Sequence, residues 1–269
     1  MPELPEVETI RRGLEKELKD AIITGFEVRD RRLLSRAHEK KWLPRLTGQS
    51  LRRFHRHGKY LEIGLENTDR FIVHLRMTGQ LLISTSAEIA AKPRFILTFH
   101  DGRALTFVDQ RRFGEVWLLK SGDAGPSRAP LGPDALDITL ADFKTGLRAK
   151  TGPIQAVLLD QSVLAGIGNI YAQEALFLAK IRPTRKTQRL KAPDLDTLHT
   201  ALAATLAAAI QARGSSSRNY RDVYGEEGAA QIAHAVYQKA GRPCIRCHTS
   251  LRGVRVGGRS SVYCPTCQV

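Results

Sequence analysis

The chain has 269 residues, 42 of them Lys or Arg and 27 Asp or Glu, so its formal net charge is +15. Such a charge favours a polyanionic partner, DNA or RNA, over an inert basic surface, and the length allows about two domains. The sequence has no run of about 18 apolar residues and begins with acidic residues instead of an apolar signal region, so we expect a cytoplasmic protein without a membrane span.

The first predicted element is a helix over residues 3–18. Val7, Ile10, Leu14 and Leu18 recur at helical spacing and form one apolar stripe. The helix is preceded by an unusual start, because a proline directly follows the initiator methionine in the stretch MPELPE.

The residues at the N-terminus are of the types that catalysis by an amine requires. If Met1 is removed, Pro2 becomes a free secondary amine, and an α-amino group with a pKa near 8 is roughly 10% neutral at pH 7. Such an amine can attack a sugar carbon or an aldehyde and form an iminium. Glu3 adjoins it and Glu6 lies one turn further on, so a carboxyl could transfer protons there. Acids in a first turn also simply stabilise a helix, and the residues alone leave both interpretations open.

From about residue 23 to residue 119 the sequence is β-rich. The runs are broken by Gly, Asn and Asp and read ITGFEVRD, SLRRFHRHGKYLEIGL, RFIVHLRMTGQLLIS, PRFILTFH and RALTFVDQRRFGEVWLL. Asp101-Gly102, between the last two runs, is a strong hairpin signal. The pattern predicts antiparallel strands in a two-sheet sandwich or a flattened barrel.

A Gly- and Pro-rich stretch at 121–136 predicts a linker, after which the chain turns helical. PIQAVLLDQ and NIYAQEALFLAKI are predicted helices on either side of the turn SVLAGIG. A longer helix, DLDTLHTALAATLAAAIQAR, is predicted to end with Gly214 as its C-cap. Residues 214–230 are polar and loop-like.

All four cysteines lie in the last 26 residues, as two CxxC pairs separated by 16 residues. In a reducing compartment this spacing predicts one tetrahedral, structural Zn²⁺ bound by Cys244, Cys247, Cys264 and Cys267 on a β-ribbon. Two disulfides or a redox pair are the alternatives.

Several of these segments together resemble one protein family. MPELPEVET, GKYLEI (58–63), HLRMTG (74–79), DQRRFG (109–114), GIGNIYAQEALF (166–177) and the four-cysteine ribbon are similar, in this order, to bacterial formamidopyrimidine-DNA glycosylase. The resemblance covers nearly the whole chain. It implies removal of oxidised purines from duplex DNA, followed by strand cleavage through β,δ-elimination.

The expected fold class is α+β and multidomain. The resemblance implies a catalytic antiparallel β-sandwich with a leading helix at 1–122, a linker at 123–135, a helical domain with a helix-two-turns-helix element at 136–235, and a zinc-ribbon finger at 236–269. We expect a monomer whose partner is double-stranded DNA with oxidised bases or abasic sites.

The resemblance also implies roles for individual residues. Pro2 would be the nucleophile, Glu3 the general acid/base and Glu6 its support. A wedge of three residues, Met77, Arg111 and Phe113, would fill the space that the extruded base leaves. The DNA phosphates would be contacted by Lys59, Asn169 and Arg259. Of these, Lys59 and Arg259 would also assist the chemistry.

The sequence departs from the family's pattern at two places, and two alternative functions remain open. The family's base-capping loop often begins with paired glycines, whereas residues 213–217 here read RGSSS, and Gln110 stands where proline is common. The sister endonuclease VIII type, which favours oxidised pyrimidines, usually starts with PEGPE, whereas this chain has Leu4. A non-catalytic zinc-ribbon DNA-binding protein is the other alternative, and it would be favoured if Met1 were retained.

Overall fold

The computed structural model describes residues 1–30, 32–33, 39–125, 130–216 and 219–269. Two compact units are present: the first comprises Met1–Arg128 and Ala212–Ala229, and the second comprises Ala129–Gln211 and Ala230–Val269. Part of the expected linker (126–129) and Ser217 of the RGSSS stretch lie outside the described residues, and the four-part division of the chain stays a prediction.

Helix α1 (Leu4–Leu18) opens the first unit, as predicted. Its apolar stripe is fully buried, with Leu14 and Leu18 at 0% exposure, and the helix lies against strands of the first unit. A second helix, α2 (Glu39–Leu46), was not predicted, because it is short and Pro44 interrupts its pattern.

Two four-stranded antiparallel sheets form the rest of the first unit. The first has the order β1 (Ile23–Val28), β6 (Phe95–Phe99), β7 (Arg103–Asp109), β5 (Gly79–Thr85). The second has the order β2 (Leu51–His57), β3 (Tyr60–Leu65), β4 (Arg70–His74), β8 (Glu115–Leu119).

The predicted antiparallel sandwich is confirmed. Aromatic side chains from both sheets meet in its core, where the rings of Phe26 and Phe71 lie 6.3 Å apart. The predicted hairpin at Asp101-Gly102 joins β6 to β7, and Gly102 has the left-handed backbone that such a turn requires (φ +82°).

The second unit is helical and ends in a β-ribbon. Its helices are α3 (Leu140–Arg148), α4 (Ile154–Leu158), α5 (Asn169–Leu178) and α6 (Ala192–Gln211). Strands β9 (Arg252–Val256) and β10 (Arg259–Tyr263) form the ribbon, joined by Gly257-Gly258, both in the left-handed region. Helix α3 was not predicted.

Helix α5 is the centre of this unit. Residues 170–177 are all buried, which explains why its sequence shows no one-sided apolar stripe. It packs against α4, α6 and β10. Among the described residues, no helix combines the length and apolarity needed to cross a membrane.

Candidate functional site

Buried carboxylates surround the N-terminus of α1. Pro2 is buried, and Glu3 and Glu6 are 4% and 1% exposed. Glu6 accepts a 2.7 Å hydrogen bond from the backbone N–H of Glu3 through one oxygen, and one of 2.7 Å from the backbone N–H of Ser215 through the other. One carboxylate therefore fixes the residue that follows Pro2 and ties it to the loop at 213–228.

A second buried acid connects α1 to the turn that carries Lys59. Glu8 accepts from Arg56 Nε at 3.1 Å, and Arg56 donates from Nη1 to the carbonyl of Gly58 at 3.0 Å. Burial raises the pKa of Glu8, but hydrogen bonds from Arg11 and other arginines outweigh it and lower that pKa to about 2. Glu8 is therefore ionised at neutral pH, and it orients the turn just before the buried Lys59.

His74 was not assigned from the sequence. It is 7% exposed, and burial, followed by the charges of Arg76 and Lys59, lowers its pKa to about 3. Its Nδ1 accepts from the backbone N–H of Arg76 at 3.2 Å, so the neutral ring carries its proton on Nε2. The only signal was its place in HLRMTG, since a single histidine in a β-rich run has no diagnostic spacing.

The loop at 213–228 belongs to the first unit and starts differently from the prediction. Helix α6 ends at Gln211, and Arg213 already has a left-handed backbone (φ +59°), so the expected C-cap at Gly214 is wrong by one residue. Arg213 Nη1 pairs with the buried carboxylate of Asp222 at 3.2 Å. The RGSSS departure thus places a charged residue where it closes the loop through an ion pair.

Gly214 lies directly against the side chain of Glu6. Its φ is +80°, and a Cβ there would lie 2.9 Å from both Cγ and Oε1 of Glu6. Only glycine therefore fits this close approach. Further along, Tyr220 and Val223 are buried in the sandwich core and anchor the loop.

The three predicted wedge residues lie in two exposed turns of the first unit. Met77, between β4 and β5, is 37% exposed, and Phe113, between β7 and β8, is 51% exposed. Arg111 is also exposed, and its guanidinium carbon lies 4.8 Å from the centroid of the Phe113 ring. Exposed apolar tips stiffened by such a cation–π contact are suited to insertion between base pairs.

Asn169 and Arg259 lie in the second unit. Gly168 is the N-cap of α5, and Asn169 is the first helical residue. Its Nδ2 donates to the carbonyl of Ser260 at 2.9 Å, and its Oδ1 accepts from Gln155 at 2.9 Å. The amide is therefore oriented next to the exposed Arg259 at the start of β10.

The four cysteines fit a single zinc ion. Their Sγ atoms all lie within 4.8 Å of one another, with 3.9 Å between Cys244 and Cys267 and 3.5 Å between Cys247 and Cys264. Tetrahedral Zn–S bonds of about 2.3 Å require sulfur atoms about 3.8 Å apart. Apolar side chains surround the cluster, as in a closed structural site.

Comparison with known proteins gives one consistent result. Three family models match: the formamidopyrimidine-DNA glycosylase N-terminal domain (residues 1–116), its H2TH domain (131–221), and a zinc finger found in FPG and IleRS (241–269). Curated proteins named formamidopyrimidine-DNA glycosylase from Chloroflexus aurantiacus and Herpetosiphon aurantiacus are each 40% identical to this chain. The alignments cover 100% of this chain in both cases, and 98% and 100% of the two relatives, respectively.

Solved structures agree. Lactococcus lactis Fpg in complex with DNA containing an abasic site has a TM-score of 0.90 at 34% identity, with 99% of both chains covered. MutM in complex with DNA containing carbocyclic 8-oxo-G has a TM-score of 0.88 at 33% identity and covers 99% of both chains.

Proposed function

Because the chain belongs to the formamidopyrimidine-DNA glycosylase family, we infer that it is a bifunctional DNA glycosylase and AP lyase. It excises oxidised purines, 8-oxoguanine and formamidopyrimidines, from duplex DNA and cuts the strand in base-excision repair. The observation that carries this inference is the N-terminus itself. Pro2 is followed by two buried carboxylates, Glu3 and Glu6, and Glu6 links the backbone of Glu3 to that of Ser215 in the loop at 213–228.

The chemistry assigned to these residues is covalent. After removal of Met1, the Pro2 amine attacks C1′ of the damaged nucleotide, and the glycosidic bond breaks as the base leaves with the proton that the amine loses. Glu3 protonates the ring oxygen as the C1′–O4′ bond opens, and the nitrogen becomes an iminium. The iminium acidifies C2′, so loss of that proton expels the 3′ phosphate, and a second elimination expels the 5′ phosphate.

Base excision requires the damaged nucleotide to leave the helix. We assign Met77, Arg111 and Phe113 to fill the space it leaves, on the basis of their exposure in two adjacent turns. Arg111 is assigned to the orphaned base, because a guanidinium only donates and cytosine offers the acceptors O2 and N3. Excision opposite cytosine should therefore exceed excision opposite adenine.

Lys59, Asn169 and Arg259 are assigned to DNA phosphates, and Lys59 and Arg259 also to the catalytic set. The neutral, oriented amide of Asn169 and the exposed guanidinium of Arg259 support this assignment. The zinc site is closed by four thiolates, so the metal supplies structure to the ribbon and no catalytic water. We further propose a cytoplasmic, nucleoid-associated monomer, since its substrate is chromosomal DNA.

Borohydride trapping tests this function. Intact mass should first show the loss of Met1. Borohydride should then reduce the iminium on a duplex with one 8-oxoguanine opposite cytosine and leave a covalent adduct at Pro2. Glu3→Gln should abolish base excision with little loss of DNA binding, because it removes a proton-transfer group and little surface.

Glu15→Gln is the matched control, since it makes the same chemical change on α1 at a half-exposed side chain that is assigned no role in the chemistry. An adduct that mapped to a lysine would contradict the assigned nucleophile. A protein that kept Met1 and bound DNA without trapping would favour the non-catalytic alternative. Thymine glycol as the best substrate would move the chain to the sister group.

A further inference from the structure

The two wedge turns lie side by side at one end of the sandwich. Each turn crosses between the sheets, since β4 and β8 belong to one sheet and β5 and β7 to the other. Their flanking residues pair directly, His74 with Glu115 and Gly79 with Asp109. The sheet register therefore brings the Met77 turn and the Arg111 turn together although they are distant in sequence.

Thr78 joins the two turns through its side chain. Its hydroxyl donates to Oδ1 of Asp109 at 2.5 Å and accepts from the backbone N–H of Arg111 at 3.2 Å. Thr78 directly follows Met77. One hydroxyl group therefore links the first turn both to the strand end and to the backbone of the inspecting arginine.

Asp109 extends this link to the far end of the second turn. Its Oδ2 accepts from the backbone N–H of Gly114 at 2.7 Å and from Arg94 Nη1 at 3.1 Å. Arg94 also donates to the carbonyl of Gly114 at 3.1 Å. The carboxylate thus holds both ends of the turn that carries Arg111 and Phe113.

Burial makes this network rigid. The side chains of Asp109 and Arg94 are 0% and 4% exposed, and charge-assisted hydrogen bonds are strong where water is excluded. Close packing also restricts the backbone of both turns. A Cβ on Gly114 would lie 2.6 Å from the Phe107 ring, and one on Gly79 would lie 2.5 Å from the carbonyl of Leu75, so neither glycine has free space beside it. The wedge therefore has exposed tips on a fixed, buried base.

We propose that Thr78 and Asp109 are positioning residues that hold the two turns as one rigid wedge and thereby set the discrimination of the base opposite the lesion. This proposal rests on the proposed function. Discrimination by Arg111 depends on where its donors lie when Met77 and Phe113 are inserted, and a site that is loose by about 1 Å loses such selectivity. Coupling of the turns fixes that geometry before DNA is bound.

Thr78→Val tests the coupling, because it removes the hydroxyl and keeps the volume. The preference for 8-oxoguanine opposite cytosine over adenine should fall by roughly tenfold or more, the effect of one hydrogen bond to a charged group. Thr78→Ser should retain the wild-type preference. Cleavage of a single-stranded abasic oligonucleotide, which needs no wedge, should be unchanged in both variants.

Thr106→Val is the matched control. Thr106 is fully buried in β7 and its hydroxyl donates to the carbonyl of Leu82, away from both turns. Its opposite-base preference should equal that of the wild type, so a general effect of a buried Thr→Val change is measured separately.

The proposal is overturned if Thr78→Val keeps the wild-type opposite-base preference, or if its activity falls equally on duplex and single-stranded substrates. Loss of preference in Thr106→Val of the same size would also overturn it. Failure of the proposed function has a different signature, because the wild-type chain would then form no borohydride-trapped adduct on single-stranded abasic DNA.

Discussion

Glu6 and Glu8 lie two residues apart on α1 and are both buried, but their partners give them different tasks. Glu6 accepts from two backbone N–H groups, those of Glu3 and Ser215, and so fixes the N-terminal end of the chain against the loop at 213–228. Glu8 pairs with arginines, of which Arg56 is itself buried. Its task is to fix the turn before Lys59, and its charge is a component of stability.

Glu8→Gln should lower the free energy of unfolding by about 2 kcal/mol at neutral pH, a value that allows for solvent screening where Arg11 and Arg12 lie. The pKa of Glu8 is lowered from 4.5 to about 2 in the folded chain, so its stabilisation is complete above about pH 5 and is lost as the pH falls towards 2. Urea denaturation of wild type and variant from pH 7 to pH 3 should show the difference narrowing below about pH 5.

Glu88→Gln, at an exposed acid, is the control and should leave the unfolding free energy nearly unchanged. If the loss of unfolding free energy in Glu8→Gln stayed constant down to pH 3, the loss would come from changed packing and not from the charge of Glu8.

Chain position and motif led to predicted roles for Pro2, Glu3 and Glu6, and these roles stay predictions. The sequence did not predict Thr78, Arg94 or Asp109 as a network. Thr78 and Asp109 are 31 residues apart, and only the register of β5 and β7 brings their side chains together. Hydrogen bonds of this range are a property of the folded sheets.

Helix α5 organises the zinc ribbon by side-chain contacts. Gln173 bridges β10, donating to the carbonyl of Ser260 at 3.3 Å and accepting from the backbone N–H of Val262 at 2.8 Å. Glu174 accepts three backbone N–H bonds of 2.7–3.0 Å from residues 235–237. The ribbon is therefore tied to the helix by side-chain hydrogen bonds, in addition to the four-cysteine zinc site.

Metal analysis should find about one Zn²⁺ per chain, and Cys264→Ser should abolish it. The loss should unfold the ribbon locally and weaken DNA binding, because Arg259 then loses its support. Zinc release by a chromogenic chelator and limited proteolysis within 241–269 measure the two effects.

Ser260→Ala is the control, because Asn169 and Gln173 contact the carbonyl of Ser260 and not its side chain. A Cys264→Ser protein that bound DNA as tightly as wild type would show that the ribbon is dispensable.

Which chain segments make up each of the two units was only partly predictable from the sequence. The sequence indicated a loop at 214–230, and the described residues 214–216 and 219–229 contain no helix or strand, but the sequence did not indicate that residues 212–229 belong to the first unit. That membership depends on Tyr220 and Val223 in the sandwich core and on the backbone bond from Ile83 to Val223, 2.8 Å long. Two apolar residues in a polar stretch gave too weak a signal.

The net charge of +15 is also a property of the whole molecule, and it predicts how DNA affinity depends on salt. The logarithm of the binding constant falls linearly with the logarithm of the salt concentration, because each cationic phosphate contact releases a counterion. Each such contact adds about 0.9 to the magnitude of this negative slope, which is called the slope below. Arg259→Ala should therefore lower both the affinity and, by about 1, the slope. Asn169→Ala should lower the affinity with the slope unchanged, because its amide is neutral and releases no counterion.

Titrations of a lesion duplex between about 50 and 200 mM salt measure both quantities. Lys19→Ala removes an exposed charge that is assigned to no phosphate, and its slope should match that of the wild type. If Asn169→Ala changed the slope as much as Arg259→Ala, its effect would be transmitted through Ser260 to Arg259, since the two residues are linked through that carbonyl. An affinity that was nearly flat across the salt range would contradict the whole phosphate footprint.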